Sequence, residues 1–392
     1  MTKHESSDAL THFDFMRGIA ACAVAVGHVR GLFFTDFEKV QGGGALLKAL
    51  YLVTGFGHQA VVIFFVLSGF FVGSSVLSSR DRWSWSQYLL RRFTRLYVVL
   101  APALVLTALL DRSGMAMFGA SGIYAGKLDA PYLTVQNVAV TGGVGTFLGN
   151  AVFLEHILVD PFGTNGPLWS LSYEFWAYLL FPLLVQAAQR KVAVAPRTAF
   201  LVAAGVILYF GGERLRFYFP VWLLGALVAG IWKRWRVDAR VPALALRAAA
   251  LLTFTALVFL ARLRFFGHQD RDDVGLALAT AALLLVLLVT SRPTGTGALA
   301  TTYARVANHL ASFSYTLYLI HFPPLVLVHA AIMNGTRWAP DATHLAIGGA
   351  LSCAVIWLFA YPLAMLTERH TDRVRKWAGR TLRIEVQRQA AA

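Results

Sequence analysis

The fold class of this chain is indicated by the apolar run QAVVIFFVLSGFFVGSSVL, from Gln59 to Leu77. It contains no aspartate, glutamate, lysine or arginine. Its length matches the roughly 20 residues that a helix needs to cross the hydrocarbon core of a bilayer. An uncharged run of this length predicts a membrane-spanning helix.

The composition of the whole chain also indicates a membrane protein. Of 392 residues, 57% are hydrophobic and 14% are charged, whereas about 25% are charged in an average soluble protein. The net charge is +15, but the basic residues lie in short loops between apolar runs, which is typical of topology signals and not of a nucleic-acid-binding surface. Cys22 and Cys353 lie in apolar runs, which excludes a disulfide scaffold and a cysteine-based metal site. Residues 1–16 show no cleaved signal peptide.

Ten apolar runs predict an all-α polytopic membrane protein with about ten transmembrane helices. The predicted spans are Phe15 to Phe34, Gln59 to Leu77, Phe93 to Leu110, Leu168 to Ala188, Thr198 to Phe210, Phe217 to Trp232, Leu244 to Leu263, Val274 to Thr290, Ser312 to Met333 and His344 to Leu366. The predicted organisation is a cytosolic N-terminal segment (1–14), a transmembrane domain (15–366) and a basic cytosolic tail (367–392).

The charges of the connecting loops predict the orientation of these helices. If the first helix leaves the cytosol, the strongly basic connections all fall on the cytosolic side and both termini are cytosolic. The short apolar segment Gly145 to Val159 carries Glu155 and His156, and counting it as a span would move the basic loop Arg190 to Arg197 outside. We therefore expect it to be a re-entrant or interfacial piece of the long outer loop. The basic connections are Arg80 to Arg92, Arg190 to Arg197, Lys233 to Arg240, Arg292 to Arg305 and Arg369 to Arg380.

Ionisable residues inside predicted spans indicate a functional site, because each costs about 2.5 to 3.5 kcal/mol on insertion scales. Arg17 and His28 lie eleven positions apart in the first helix, so they share one face within about 20° and are roughly 16 Å apart along the axis. One groove would then present a guanidinium near the cytosolic face and an imidazole deep in the membrane. The alternative is a snorkelling arginine and a histidine bonded to a neighbouring helix.

Two later helices carry polar faces of the same kind. Ser170, Glu174 and Tyr178 follow one another at a spacing of four, so the carboxylate could accept a proton or orient an imidazole. The alternative is a hydrated glutamate in an aromatic belt that includes Trp169. The face formed by Ser314, Tyr318 and His321 is either part of the site or polar packing between helices.

Two further features have both a packing interpretation and a functional one. Ser68 precedes Gly69, which lets another backbone approach closely, and packing alone would explain the pair. Arg91, Arg92 and Arg95 either set the orientation of the third helix or bind donor phosphates through their rigid forks. The sequence has no GxxxxGK[ST], GxSxG or HExxH motif, which disfavours ATP hydrolysis, an α/β-hydrolase triad and a zinc protease; we expect no metal site.

These motifs, in this order, resemble the acyltransferase-3 family of integral-membrane O-acyltransferases that modify bacterial surface polysaccharides and related acceptors. The resemblance covers nearly the whole chain. After Arg95 the family commonly has Ile-x-Pro, whereas this chain has Leu96-Tyr97-Val98 and its nearest proline is Pro102. The matching segments are Phe13 to Ala20 with Gly27-His28, Phe64 to Phe70, Trp169-Ser170-Leu171 with Glu174 and Pro182, and Ser314 to His321.

The resemblance implies transfer of an acyl group, usually acetyl, from cytosolic acyl-CoA to a hydroxyl of a glycan or lipid-linked sugar. This reaction would occur at the outer face of a bacterial inner membrane. Acyl-CoA would be the donor substrate, with no tightly bound cofactor. The partners would be the donor, the glycan or lipid-linked sugar acceptor and membrane lipid, but not nucleic acid.

The resemblance also implies roles for the candidate residues. His28 would be the general base, because a neutral imidazole suits an acceptor hydroxyl, or else a transient acyl carrier. Arg17 would contact the donor or neutralise the tetrahedral intermediate. Glu174, Tyr318 and His321 would orient the acceptor or relay protons, and Arg91, Arg92 and Arg95 would hold the CoA phosphates. Ser68 and Ser170 are candidate acyl carriers. Trp169 and Tyr178 would bind substrate.

Two other functions are compatible with this pattern. A transporter or flippase for a glycolipid or small polar solute would also have about ten helices with intramembrane charges, but the sequence shows neither repeated halves nor paired broken helices. An acyltransferase that acts on a cytosolic small molecule would share the family motifs. The long outer segment Asp111 to Pro167 favours an acceptor outside the cytosol.

Overall fold

A computed structural model of the chain describes residues 8–40, 42, 44–128, 130, 133–234, 243–292 and 295–384. These residues form helices and connecting loops, and the part of the chain so described has no β-strand, only isolated bridges. The helices are α1 Asp8–Phe33, α2 Ala45–Val53, α3 Gly57–Ser79, α4 Trp85–Phe118, α5 Val138–Thr141, α6 Val144–Ala151, α7 Trp169–Ala187, α8 Val194–Phe210, α9 Gly212–Arg234, α10 Ala243–Arg262, α11 Gln269–Val289, α12 Ala298–Ala311, α13 Ser314–Ile320, α14 Phe322–Ile332, α15 Ala342–Cys353, a π-helical stretch Ala354–Ala360, α16 Tyr361–Leu366 and α17 Thr371–Thr381.

The described helices confirm a polytopic all-α membrane protein. Eight stretches are long and apolar enough to cross a membrane, and a ninth is the bent pair Ala298–Ile320 and Phe322–Ile332. The shorter apolar helix α8 has 17 residues, which is the lower limit of about 17 to 25 for a spanning helix. It corresponds to the predicted span Thr198 to Phe210, so each of the ten predicted spans has a helical counterpart.

Several helices extend beyond their predicted ends, and in two of them polar side chains at the added turns find partners. α1 begins at Asp8 instead of Phe15, and Asp8 forms an ion pair with Arg247 at 2.8 Å. α4 begins at Trp85 instead of Phe93, with the Ser84 hydroxyl capping its first turn. Hydropathy alone does not detect these ends, because it counts charged residues against a span.

The segment predicted to be re-entrant or interfacial does not cross the membrane. Its helix α6 has eight residues, which rise only about 12 Å. The chain then makes tight turns in which Phe153 and His156 have positive φ angles of 61° and 55°. Glu155 lies between them and is only 1% exposed.

The centre of the bundle is a close contact between α3 and α9. A Cβ atom at Gly69 would overlap the carbonyl oxygen of Trp222, and one at Gly225 would overlap the carbonyl oxygen of Val66. Small residues at both positions therefore let the two backbones touch. This contact confirms the close approach that the Ser68-Gly69 pair predicted.

The ninth span is broken at His321, between α13 and α14, with a bend of 55°. Pro323 follows the break and has no N–H to donate to the carbonyl of Leu319 one turn earlier. The Asn165 side chain donates to that carbonyl instead, at 3.0 Å. The sequence therefore both breaks this helix and supplies the missing donor from the loop before α7.

The same loop is anchored to α4. Thr164 donates to Asp111 through its backbone N–H at 2.8 Å and through its hydroxyl at 2.7 Å. Asn165 also donates to Thr107, at 3.1 Å. These buried hydrogen bonds fix the start of α7, where several candidate residues lie.

Some predictions fall outside the described residues. These are residues 1–7 of the N-terminal segment, Arg236 and Arg240 of a basic loop, and residues 385–392 of the tail. The described part of the tail includes α17, which packs against α4.

Candidate active site

The two histidines that the sequence placed on separate helices form a direct pair. Nδ1 of His28 lies 2.6 Å from Nε2 of His321. Nδ1 of His321 lies 2.9 Å from the carbonyl oxygens of Leu317 and Tyr318. Because a carbonyl only accepts, Nδ1 of His321 carries its proton, and Nε2 of His321 accepts from Nδ1–H of His28. The break in the ninth span brings His321 to this position.

This tautomer leaves Nε2 of His28 unprotonated. The two rings are nearly parallel, at 8°, and their centroids are 4.9 Å apart, which is the separation of two imidazoles joined edge to edge by a short hydrogen bond. Nε2 of His28 has no hydrogen-bond partner among the described residues. His28 therefore offers a basic nitrogen to the space beside it, while His321 is completely buried.

That space is a cavity of about 800 Å³, which we call the histidine cavity. It lies at the N-terminal end of α3 and extends to the end of α10 and the start of α11. Its size is in the range of small-molecule sites, about 300 to 1,000 Å³. Its polar and aromatic lining includes His28, Arg30, Asp36, Glu38, Lys48, Tyr51, His58, Gln59, Trp169, Arg262, Arg264, Gln269, Asp272, Asp273 and Tyr318.

The wall of this cavity next to the histidine pair is fixed by hydrogen bonds. The Tyr318 hydroxyl donates to the carbonyl of Pro167 at 2.9 Å and accepts from the Ser170 hydroxyl, which lies 2.7 Å away. Trp169 lines the cavity beside them. These three predicted residues, Trp169, Ser170 and Tyr318, therefore lie together with His28.

Glu174 is placed elsewhere, in a separate network on α3, α7 and α9. Its Oε1 accepts from the hydroxyls of Ser68 and Tyr178, each at 2.5 Å. Trp222 donates to the Ser68 hydroxyl at 3.1 Å. The partner of the His28 imidazole is therefore His321 and not Glu174. The predicted face of Ser170, Glu174 and Tyr178 is divided between two networks.

The basic cluster lines a second cavity of about 380 Å³, which we call the arginine pocket. Arg95 forms an ion pair with Glu368 at 3.1 Å, whereas Arg91 and Arg92 have no carboxylate partner among the described residues. Unpaired guanidiniums suit phosphate groups. The pocket is lined by Arg91, Arg92, Arg95, Glu368, Arg369, Thr371, Asp372 and Arg375.

Aromatic rings orient the arginines of this pocket. The Arg92 guanidinium lies over the rings of Tyr88 and Tyr178, at 5.4 and 5.5 Å from their centroids. Arg95 lies 5.4 Å over the ring of Tyr315. Pro102, the proline nearest to this cluster, lies within α4 and does not interrupt it at the arginines.

Arg17 lies on the side of the arginine pocket and lines neither cavity. It forms an ion pair with Asp14 at 3.1 Å and donates to the carbonyl of Ala311 at 3.4 Å. Its charge interacts with that of Arg95. Arg17 and His28 therefore share a helix, but they do not share one groove as the sequence suggested.

A column of contacts runs between the two cavities. Arg92 covers the ring of Tyr178, which bonds Glu174 and Ser68. One turn before Ser68 on α3, the ring of Phe64 contacts that of Tyr318, at 5.8 Å between centroids. The cavities thus lie at opposite ends of α3 and are joined by polar and aromatic side chains.

Another buried carboxyl lies in the loop before α7. Glu155 is 1% exposed, and one of its carboxylate oxygens has no partner among the described residues. Burial without a partner raises its pKa well above the ordinary value for glutamate.

Several residues of these sites carry little or no signal in the sequence. Glu368 gave a weak signal, as an acid at the start of a basic tail. Arg30 and Arg262 lie near the ends of predicted spans, where an arginine normally sets topology. Trp222 gave no signal in the sequence, because tryptophan is common in membrane helices.

Comparisons with known proteins agree with the resemblance seen in the motifs. Acyltransferase MdmB of Streptomyces mycarofaciens is 32% identical over 194 residues, which are 49% of this chain and 42% of that protein. O-acetyltransferase OatA of Staphylococcus aureus is 24% identical over 306 residues, 74% of this chain and 49% of that protein. Nodulation protein 10 of Rhizobium leguminosarum bv. viciae is 27% identical over 197 residues, 48% of each chain.

The chain aligns with about half the length of these curated relatives. No solved structure matches it significantly. A family model described as an acyltransferase domain matches residues 10–361, from the first turn of α1 to the start of α16. This match contains the histidine pair, the Glu174 network and the basic cluster of α4, and the chain belongs to the acyltransferase-3 family.

Proposed function

We propose that this protein is a membrane-embedded O-acyltransferase. It moves an acyl group, usually acetyl, from acyl-CoA to a hydroxyl of a glycan or lipid-linked sugar. The observation that carries the proposal is the pair of His28 and His321, which leaves a basic nitrogen at the wall of an 800 Å³ cavity.

The two cavities correspond to two faces of the membrane. The arginine pocket lies at the end of the bundle where α3 joins α4, among the basic connections, which favours the cytosolic side. The histidine cavity lies at the other end of α3 and would face outward. In a bacterium this arrangement corresponds to the inner membrane, with donor and acceptor on opposite sides.

The chemistry follows from the state of His28. The pKa of an acceptor hydroxyl is far above 7, so its oxygen needs a base to become a good nucleophile. Nε2 of His28 takes the hydroxyl proton as the oxygen bonds to the acyl carbon. The carbon–sulfur bond then breaks, and the CoA thiolate recovers the proton from His28. His321 holds the imidazole in the required tautomer throughout.

The donor would be held at the arginine pocket. Among the described residues, Arg91 and Arg92 have no carboxylate partner, so their guanidinium groups are available for the CoA phosphates. The pantetheine arm would extend along the contact column past Tyr178 and Ser68 towards His28. Arg17 lies with Arg95, about 16 Å along α1 from His28. Its proposed role is therefore with the donor and not with the tetrahedral intermediate.

A covalent route would use Ser68 and Glu174 in its first step. Ser68 donates to Glu174 at 2.5 Å, so the carboxylate could accept the serine proton as the Ser68 oxygen bonds to the acyl carbon. The carbon–sulfur bond then breaks, and the CoA thiolate takes that proton from Glu174. The acyl group would then pass to the acceptor. Label retained on the protein after denaturation distinguishes this route from direct transfer.

The match to an acyltransferase domain disfavours the transporter or flippase alternative. An acyltransferase for a cytosolic small molecule would place its acceptor on the side of the arginine pocket. Such an enzyme would not need the histidine cavity as an acceptor site.

The test uses the purified chain in nanodiscs with radiolabelled acetyl-CoA and a glycan as the acceptor. We expect CoA release in wild type and its loss in His28→Ala, with donor binding retained in both. His12→Ala is the matched control, because His12 lies on the same helix, contacts Tyr303 and lines neither cavity. Unchanged CoA release in His28→Ala would show that His28 is not the general base. Failure of wild type to bind any acyl-CoA would favour transport.

A further inference from the structure

Two arginines of the histidine cavity lie close to His28 and have no assigned role. Arg30 follows His28 by two residues on α1, and Arg262 is the last residue of α10. Both are partly buried and line the cavity. Their charges are near enough to repel one another.

Neither guanidinium is neutralised by the described part of the protein. The Nε atom of each is enclosed without a hydrogen-bond partner, and neither arginine has a carboxylate within ion-pair distance. Asp36, the acid whose charge reaches Arg30, is bound by Arg337 at 2.7 Å. Two unpaired, partly buried like charges are unfavourable unless a ligand anion joins them.

The surroundings hold both arginines in place. Arg30 lies over the ring of Tyr51, at 5.5 Å from its centroid. Arg262 lies directly against Gly55, where a Cβ atom would clash with its guanidinium. These contacts restrict where each guanidinium can lie. Planar N–H forks match phosphate and carboxylate oxygens in pairs.

Two acidic residues of the cavity, Asp272 and Asp273, lie in the first turns of α11. Asp273 is bound by His58 at 2.8 Å and by Tyr218 at 3.3 Å. Asp272 accepts from the backbone of Phe266 at 3.2 Å, and its second oxygen has no partner among the described residues. The cavity thus offers both guanidinium groups and carboxylate acceptors, which suits a ligand with one anionic group and several hydroxyls.

We propose that Arg30 and Arg262 bind an oxyanion, a phosphate or carboxylate carried by the acceptor, and so position the acceptor hydroxyl at Nε2 of His28. This inference rests on the proposed function, because it takes the ligand of the cavity to be the acceptor. It assigns the acceptor to the class of anionic glycans or sugar phosphates.

The test measures thermal unfolding of the full chain in nanodiscs of zwitterionic lipid, with inorganic phosphate or chloride at matched ionic strength. We expect phosphate to raise the Tm of wild type, and not that of Arg30→Gln or Arg262→Gln. Arg271→Gln is the matched control and should keep the phosphate effect, since this exposed arginine of α11 does not line the cavity. In chloride alone, the two variants should unfold at the wild-type temperature or above it, because each relieves a like-charge repulsion. The Tm in chloride therefore distinguishes a variant that has lost the phosphate site from a variant whose fold is destabilised.

A second arm separates an acceptor from a lipid headgroup. In nanodiscs of anionic lipid, an unchanged phosphate effect supports a site that is open to water and the acceptor. Loss of the effect there would assign the site to lipid and overturn the proposal. The proposal would also be overturned if phosphate did not raise the Tm of wild type, or if it still raised the Tm of both arginine variants. None of these measurements uses acyl-CoA, and we expect His28→Ala to keep the phosphate effect, so failure here is distinct from failure of the proposed reaction.

Discussion

His28 and His321 are 293 positions apart in the sequence, yet their ring nitrogens lie 2.6 Å apart. The pair is the end of a relay that starts at the backbone carbonyls of Leu317 and Tyr318. Each hydrogen bond in the relay fixes the tautomer of the next group. The basic nitrogen of the cavity therefore depends on a residue that does not line the cavity itself.

The first prediction concerns His321 as a positioning residue. His321→Leu removes the acceptor for Nδ1–H of His28, so the imidazole loses its fixed tautomer. We expect kcat for acyl transfer to fall about 10²- to 10⁴-fold, with the KM for acyl-CoA unchanged because the proposed donor site lies at the other end of α3. Steady-state kinetics with acetyl-CoA measure both constants.

The control for this prediction is His321→Gln. Its side-chain oxygen can accept from Nδ1–H of His28, so it should restore much of the lost kcat and the wild-type pH profile. A purely structural role would show instead as equal loss in both variants, together with a lowered Tm. Wild-type kcat in His321→Leu would contradict the relay.

The second prediction concerns the arginine pocket. Arg91→Gln removes one charged donor to the CoA phosphates, so the KM for acetyl-CoA should rise about 10- to 100-fold, as expected for a charge-assisted hydrogen bond of about 1.5 to 3 kcal/mol. Acetyl-pantetheine, which lacks the nucleotide phosphates, should serve wild type and variant equally. Arg82→Gln is the matched control, because Arg82 is exposed beside α4 but lies outside the pocket. An equal rise in KM for both donors would assign Arg91 to another role.

The third prediction concerns the contact between α3 and α9. Gly69→Ala would place a methyl group on the carbonyl oxygen of Trp222, so the two helices must separate. We expect a loss of about 1 to 3 kcal/mol of stability, seen as a lower Tm in detergent. Gly205→Ala on α8 is the control, since a Cβ atom there meets nothing. An unchanged Tm for Gly69→Ala would show that the backbones are not in contact.

Much of the fold could be predicted from the sequence, because spanning helices are determined locally by length and apolar content. The spacing of Glu174 and Tyr178 also predicted a shared helical face, and these side chains bond to each other. Helical periodicity shows which residues share a face, but it does not show what that face meets. Arg17 and His28 share a face of α1, yet only His28 lines a cavity.

The rest of the site depends on contacts between distant segments. Arg95 pairs with Glu368, and His28 pairs with His321, and no local pattern links the members of either pair. The partner of the Leu319 carbonyl is Asn165, from a loop whose position follows from buried hydrogen bonds to α4. Such pairings become visible only when the helices are packed.

The last prediction concerns the buried carboxyl of Glu155, whose pKa burial raises well above its ordinary value. Unfolding exposes it and returns the pKa to about 4.3. Its contribution to stability is therefore fully present below pH 4.3 and is lost as pH rises towards the folded-state pKa, because the unfolded chain releases the proton first. We expect the Tm of wild type to fall from pH 5 to pH 8 by more than that of Glu155→Gln, which cannot ionise. Glu213→Gln, at an exposed position, should keep the wild-type slope. Equal slopes for wild type and Glu155→Gln would show that the folded protein holds Glu155 ionised.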